Sequence, residues 1–366
     1  MRVAPVDKSF LGIVITLVVA GFFIFLSASM GLHARGDATF GSIVFKQVVI
    51  GIIGGSIGMY LMSRFPYRLL RKYSFYILGA GIVATLLVFI PGLGFTHGGA
   101  QRWISIGGFS MQPAELLKIA FVIYVAAWLS AARNRIHEFK FGLLPILVML
   151  GVIGFILAQQ PDMGTMLVIT SATFAMYIAA GANWRDVGIF VLTMLLAATA
   201  LVAVKPYILE RVKTFMNPAE DAQGSGYQIR QAHIAIGSGE IFGRGFGQSI
   251  QKFNYLPEPI GDSVFAVAAE EFGFAGSVTI IGLFMVFAVR GFKISARAPD
   301  MFGGLVVLGI VILIVMQSFI NIASMLGLFP LTGMPLIFIS HGGTALLVTL
   351  TGIGIVLNIS RSQLST

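Results

Sequence analysis

The sequence predicts an all-α, polytopic integral membrane protein, and three observations support this fold class. Of its 366 residues, 57% are hydrophobic and only 11% are charged, whereas a soluble domain carries about 25% charged residues. The mean hydropathy is +0.91, and several apolar runs reach the roughly 20 helical residues that cross a bilayer core. The short alternating segments of a transmembrane β-barrel are not seen. We therefore expect one membrane domain over residues 1–366.

Ten transmembrane helices account for the apolar runs. The first run follows Lys8 and is longer than the apolar core of a signal peptide, about 7–15 residues, so we interpret it as a retained span. The spans are placed near residues 10–31, 43–63, 73–93, 112–131, 141–158, 164–181, 187–205, 263–289, 303–326 and 336–358.

Basic residues predict the orientation of these spans. They cluster in the connections after spans two, four and eight, at Arg64, Arg68, Arg71, Lys72, Arg133, Arg135, Lys140, Arg290, Lys293 and Arg297. Short connections rich in Lys and Arg face the cytoplasm. An even number of spans then places both termini in the cytoplasm. The net charge of +9 therefore reports topology first and does not indicate nucleic acid.

The connection between spans seven and eight, residues 206–262, is unusually long. Connections beyond about 12–15 residues are uncommon and often functional. It is polar and basic, and the topology makes it extracytoplasmic. One interpretation is a functional outer element, and the other is a solvated loop whose charges keep it out of lipid. Its basic residues are Arg211, Lys213, Arg230, Arg244 and Lys252.

The chain has no cysteine, which excludes disulfides, thiolate catalysis and Cys-ligated metals.

Ionisable residues inside spans are rare and suggest function. Glu115 and Lys118 follow Pro113 three residues apart on one helical face, either as a structural ion pair or as the lining of a polar cavity. Asp162 ends the segment AQQPD, where it could cap the next helix or face an outer cavity.

Polar residues in the last two spans are less specific. Gln317 and Asn321 lie four residues apart on one face, a spacing typical of hydrogen bonds between helices. Ser340 and His341 follow an irregular Pro- and Gly-containing stretch, which survives at membrane depth only when protein or water covers it. A lone histidine is more often structural than catalytic.

Asp262 stands at the border between the polar connection and the eighth span. It could cap that helix, since negative charge is favoured at a helix N-terminus, and Ser263 could share this role. Alternatively, an ionised acid at the outer face could take a proton from a substrate hydroxyl. Glu270 and Glu271 lie deeper, where one of them could pair with an intramembrane cation.

Five segments in combination resemble the SEDS family of bacterial membrane proteins, the FtsW and RodA group. They are GGAQRWISIGGFSMQPAELLK, QQPDMGT, GYQIRQAHIAIGSGEIFGRGFGQS, YLPEPIGDSVFAVAAEEFGFAG and QSFINIASMLGLFPLTGMPLIFISHGG. The match covers nearly the whole chain, and the segments RFPYRLLRK, VFIPGLGF and QKFNYLPE lean toward FtsW.

This resemblance implies ten transmembrane helices and a peptidoglycan glycosyltransferase. Such an enzyme polymerises lipid II into a nascent glycan strand on the outer face of the bacterial inner (cytoplasmic) membrane, in cell division or elongation. The implied partners are a class B penicillin-binding protein that supplies transpeptidation, other division or elongation proteins, and membrane lipids.

The resemblance also assigns candidate residues. The family's invariant outer-face aspartate falls on Asp262, which becomes the general base and a candidate ligand for a divalent cation, Mg²⁺ or Mn²⁺. The candidate substrate-binding residues are Arg102, Glu115, Lys118, Asp162, Tyr227, Gln228, Arg244, Lys252, Gln317, Asn321 and Ser340. The sequence departs from the family pattern at Ala114, Glu240, Ile260, Gly261 and His341.

Two other functions are compatible with the residues. A flippase that moves the lipid-linked precursor between leaflets would also need a polar cavity within a helical bundle, but it would need polar groups reachable from both faces. A scaffold without catalysis would use the polar groups only to recruit the penicillin-binding protein.

Overall fold

Apolar helices form most of the computed structural model, which describes residues 6–34, 40–97, 100–106, 109–218, 220–221 and 224–362. The all-α membrane fold class is thereby confirmed. The helices are α1 (Lys8–Ala34), α2 (Phe40–Lys46), α3 (Gly55–Arg64), α4 (Tyr67–Leu86), α5 (Pro113–Ala131), α6 (Leu143–Gln159), α7 (Met163–Ala179), α8 (Trp184–Val204), α9 (Pro206–Met216), α10 (Ser225–Ser238), α11 (Val264–Ala296), α12 (Met301–Met325) and α13 (Gly343–Arg361).

Eight helical segments in the described residues are long and apolar enough to cross a membrane. One of them, Phe40–Arg64, joins α2 and α3 through a π-helical stretch at Gln47–Gly54. The helices α6 and α7 lie at the predicted fifth and sixth spans but have 17 residues each, slightly fewer than the roughly 20 that a span needs. The count of ten spans therefore stays a prediction. The two chain ends that we expect in the cytoplasm lie outside the described residues.

The core of the bundle surrounds α12. Of the eight long segments, α12 is the most buried within the protein and α8 the least, and α12 packs against α11, α7 and α5. Small residues allow a close approach between α3 and α13, where a Cβ atom on Gly58 would lie 2.4 Å from Thr351 Oγ1. Such close packing of small residues is a typical means of helix association in lipid.

A small antiparallel sheet lies between α4 and α5, and the sequence did not indicate it. Its strands are β1 (Gly94–His97), β2 (Ala100–Ile106) and β3 (Phe109–Met111), in the order β1-β2-β3. Predicted span three extended to residue 93, but α4 ends at Leu86 and one 3₁₀ turn follows. Strands this short give too little alternation to be recognised by pattern.

The long connection 206–262 contains two helices, α9 and α10, that we did not predict. Within it, α9 is amphipathic and α10 packs against α11. An irregular segment then follows from residue 239 to Ser263. We call the end of the bundle that carries the sheet, α9 and α10 the loop face.

The helix α11 is broken at Gly273, whose φ of 66° and ψ of −162° are not helical. The backbone of residues 240–245 fills the break. Phe274 N donates to Glu240 O at 2.8 Å, and Arg244 N donates to Glu270 O at 3.0 Å. Broken helices persist at membrane depth only when neighbouring protein satisfies their backbone groups. These backbone hydrogen bonds therefore anchor part of the long connection to α11.

Candidate active site

A cavity of about 970 Å³ opens at the loop face. Its wall is formed by the sheet, the first turns of α5 and α7, the helices α9 and α10, and the turns that precede α11 and α13. Residues that are far apart in the sequence therefore converge on one space. A cavity of this size falls within the range of small-molecule sites, about 300–1,000 Å³.

Asp262 lines this cavity but does not cap α11. The N-cap residue is Ser263, whose side chain makes no capping hydrogen bond, so the N-cap interpretation of Asp262 is wrong. The Asp262 carboxylate instead accepts a hydrogen bond from Gln228 Nε2 at 3.0 Å. Its backbone oxygen accepts one from Asn321 Nδ2 at 2.7 Å. Two predicted site residues, Asp262 and Gln228, are thus brought together.

The turn before α13 supports the turn that carries Asp262. Ser340 Oγ donates to Gly261 O at 2.6 Å, and His341 N donates to Ile260 O at 2.7 Å. Ser340 and Asn321 are buried and are absent from the cavity wall. The structure therefore places these two predicted substrate contacts behind Asp262, where they hold its backbone.

The protein surroundings shift the pKa of Asp262. The pKa of the Asp262 carboxyl is raised to about 6, chiefly by burial and also by the nearby Glu258 carboxylate, whereas the hydrogen bond from Gln228 and the charge of Arg211 oppose the shift. A carboxyl group whose pKa lies near the working pH can act as a general base in its ionised form.

Asp162 has both of the roles that the sequence left open. It caps α7, since Oδ1 accepts from Thr165 N at 3.3 Å, and it also borders the cavity. Gln112 Nε2 donates to Oδ2 at 3.1 Å, and Arg102 Nη1 lies 3.7 Å from Oδ1. Arg102 also donates to the backbone oxygen of Pro161. Arg102 and Asp162 are therefore a coupled pair in the cavity wall.

Glu115 and Lys118 form a buried ion pair beside the same cavity. Lys118 Nζ lies 2.9 Å from Glu115 Oε1 and 2.5 Å from Gln317 Oε1. Glu115 and Gln317 line the large cavity, while Lys118 borders a smaller one of about 20 Å³. Both alternatives from the sequence therefore hold for Glu115, whereas Lys118 lies behind it.

The helix α9 contributes residues that the sequence did not assign to the site. Tyr207 and Arg211 line the cavity, and Arg211 Nη1 donates to Leu331 O at 3.0 Å. Burial lowers the pKa of Arg211, as does the charge of Arg102, and burial raises the pKa of Tyr207. Their spacing of four residues on an amphipathic helix was the signal that could have revealed them.

Three predicted substrate contacts lie elsewhere in the described structure. Tyr227 is adjacent to Gln228 on α10 but does not border the cavity, and Arg244 Nε lies 3.6 Å from Glu270 Oε1. Lys252 is fully buried, with Nζ 2.7 Å from Glu271 Oε1 and 2.9 Å from Ser27 Oγ. One acid of α11 therefore pairs with a cation, which comes from the long connection, and this contact corrects the assignment of Lys252 to substrate.

The carboxylates of the cavity limit how a divalent cation could bind. Among the described residues, no group of three or more acidic or histidine side chains could hold a metal ion. Asp262 and Glu258 line the same cavity. Mg²⁺ is commonly held by one or two carboxylates together with substrate phosphates, and these two residues fit such a shared site.

The chain is similar to known proteins in family, sequence and structure. A family model described as cell cycle protein, covering FtsW, RodA and SpoVE, matches residues 7–365. A probable peptidoglycan glycosyltransferase FtsW of Trichlorobacter lovleyi is 37% identical over 363 residues, which cover 98% of this chain and 94% of the relative. Stage V sporulation protein E of Bacillus subtilis is 39% identical over 307 residues, 84% of each chain.

Solved structures share the fold. A chain from a study of the coordination of polymerization and crosslinking by a peptidoglycan synthase complex matches with a TM-score of 0.79 at 28% identity, over 98% of both chains. The crystal structure of the rod shape determining protein RodA of Thermus thermophilus matches with a TM-score of 0.72 at 26% identity, over 99% of this chain and 98% of that one.

Proposed function

The chain belongs to the FtsW, RodA and SpoVE family of cell cycle proteins, and on this basis we propose that it polymerises lipid II with Asp262 as the general base. It is a peptidoglycan glycosyltransferase, as its curated relatives are. The observation that carries the assignment of the base is the Asp262 carboxylate, which borders the cavity and is held by Gln228.

The reaction joins two lipid-linked saccharides. Asp262 takes the proton of the acceptor sugar 4-hydroxyl, and the oxygen attacks the anomeric carbon of the donor. A glycosidic bond forms as the bond between that carbon and the diphosphate oxygen breaks, and the diphosphate leaves with the electron pair. Proton transfer by a positioned base contributes about 10²–10⁴-fold in rate.

Charge that develops on the diphosphate needs compensation. Arg211 and Arg102 border the same cavity as Asp262, and guanidinium groups suit phosphate oxygens because they donate in pairs. A divalent cation, Mg²⁺ or Mn²⁺, held by Asp262 and Glu258 would further offset this charge when bound.

The enzyme acts within an assembly at the membrane. We infer a class B penicillin-binding protein as the crosslinking partner, because a structural neighbour belongs to a peptidoglycan synthase complex. We also infer that the loop face is extracytoplasmic in the bacterial inner membrane. The basic connections then lie in the cytoplasm, as the positive-inside rule requires.

Polymerisation of lipid II by the purified protein in detergent tests this function. Asp262→Asn keeps the shape of the side chain and its acceptor oxygen for Gln228 but cannot take a proton. We expect it to reduce glycan synthesis by at least about 10²-fold, while the exposed control Glu220→Gln retains full activity. The same assay with and without a metal chelator tests whether polymerisation needs a divalent cation. Full activity of Asp262→Asn would remove the base assignment, and absence of glycan chains from the unmodified protein with its partner would favour the flippase.

A further inference from the structure

His341 borders the cavity from the turn that precedes α13. Its ring stacks on that of Phe25 in α1, with the centroids 6.2 Å apart and the planes at 19°. Within the described part of the chain, no residue forms a hydrogen bond to the imidazole nitrogens. A neutral imidazole has one donor and one acceptor nitrogen, and polar atoms that lie unpaired near a protein interior destabilise it unless water or a ligand satisfies them.

The backbone on both sides of His341 is clamped by one buried side chain. Gln47 Nε2 donates to Ser340 O at 3.3 Å, and Gln47 Oε1 accepts from Gly342 N at 3.1 Å. Gln47 is only 2% exposed and begins the π-helical stretch Gln47–Gly54. Single π-turns within α-helices are frequent at functional sites.

A third backbone bond joins this turn to the general base. His341 N donates to Ile260 O, two residues before Asp262. The imidazole is thus fixed by Gln47, by Phe25 and by the Asp262 turn. Burial lowers the pKa of His341, and the charge of Lys46 adds to this effect. The surroundings therefore favour the neutral imidazole, which suits uncharged partners.

We propose that His341 is a substrate-binding residue that hydrogen-bonds an uncharged polar group of the lipid-linked saccharide, a hydroxyl or an acetamido group, and that Gln47 is its positioning residue. This inference rests on the proposed function. It assigns His341 to sugar recognition beside the base and leaves proton transfer to Asp262.

The test measures binding separately from catalysis. His341→Phe keeps an aromatic ring against Phe25 and removes both nitrogens, whereas His341→Gln restores hydrogen-bonding atoms. In the inactive Asp262→Asn background, we expect His341→Phe to raise the Kd for fluorescently labelled lipid II about 10-fold, as the loss of one hydrogen bond does. His341→Gln should recover most of the affinity. In the active enzyme, which keeps Asp262, His341→Phe should raise KM and leave kcat within about twofold.

Gln47→Met tests the positioning role. It matches the length of the side chain and removes the amide, and we expect it to raise the same Kd. Because both changes act through one contact, the double variant with His341→Phe should bind no more weakly than the weaker single variant. Melting temperatures identify any variant that fails to fold. If Gln47→Met fails to fold, Gln47→Glu replaces it in the binding measurement.

Unchanged Kd and KM for His341→Phe in a protein that polymerises lipid II would overturn the inference and leave the proposed function intact. A fall in kcat alone, with unchanged Kd, would overturn it as well. A protein that binds lipid II through His341 but forms no glycan chains would refute the proposed function instead.

Discussion

Asp162 and Asp262 show how neighbouring side chains decide the role of an acid. Both stand just before a helix, and the sequence allowed either to cap it. Asp162 does so because Thr165 N reaches its carboxylate at 3.3 Å. Asp262 is two residues from the start of α11, and its carboxylate points to Gln228 from another helix. The capping rule depends on local sequence, whereas the partner from α10 depends on the fold.

The raised pKa of Asp262 predicts the pH dependence of activity. A general base works only when ionised, so polymerisation should fall as the pH drops through about 6 and should be nearly independent of pH well above it. The rate of glycan synthesis at saturating lipid II, measured between pH 5 and pH 8, checks this. A rate that stays constant down to pH 5, as the ordinary aspartate pKa of about 3.9 would give, would contradict the assignment.

Gln228 tunes that same pKa. Its hydrogen bond favours the charged form of Asp262 and so opposes the shift. In Gln228→Leu the pKa of Asp262 should therefore rise, and the acid limb of the pH profile should move to higher pH. Tyr227→Phe, on the adjacent residue that does not border the cavity, serves as the control. A limb that stays in place in Gln228→Leu would show that this bond is absent in the working enzyme.

At the scale of helices, the ion pair on α5 is tied to α12. Lys118 contacts Glu115 within its own helix and Gln317 on α12. Lys118→Met leaves Glu115 buried and unpaired, and we expect it to destabilise the protein by about 3–5 kcal/mol. The double variant Glu115→Gln with Lys118→Met removes both charges and should be milder. Thermal unfolding in detergent measures both, and equal losses would show that Glu115 does not need its partner.

The break in α11 also makes a prediction at this scale. Gly273 has backbone angles that are essentially restricted to glycine, and a Cβ atom there would lie 2.3 Å from Gly243 N. Gly273→Ala should therefore cost about 1–3 kcal/mol or more of stability and loosen the segment 240–245. Gly282→Ala, at a position in the same helix with open space around it, is the matched control in the same melting experiment.

At the scale of the whole molecule, the orientation in the membrane can be tested because the chain has no cysteine. Phe242 in the long connection is 81% exposed, and Trp184 at the far end of α8 is 82% exposed. In intact cells, a membrane-impermeant maleimide should label Phe242→Cys, whereas Trp184→Cys should react only after permeabilisation. The reverse pattern would invert the topology and place Asp262 in the cytoplasm.

The sequence by itself determined the membrane class, the positions of the apolar helices and several acids of the site. Both are local signals, because hydropathy is summed over neighbouring residues and a carboxylate in an apolar run can be recognised without knowing which residues it contacts. Only the tertiary structure decided which polar groups meet, because Lys118 and Gln317 are separated by 199 residues and Gln228 and Asp262 by 34. The tertiary structure also places Lys252 in a buried ion pair and places Tyr207, Arg211 and His341 at the cavity. Such pairings follow from how helices pack in three dimensions, which the local pattern of residues does not contain.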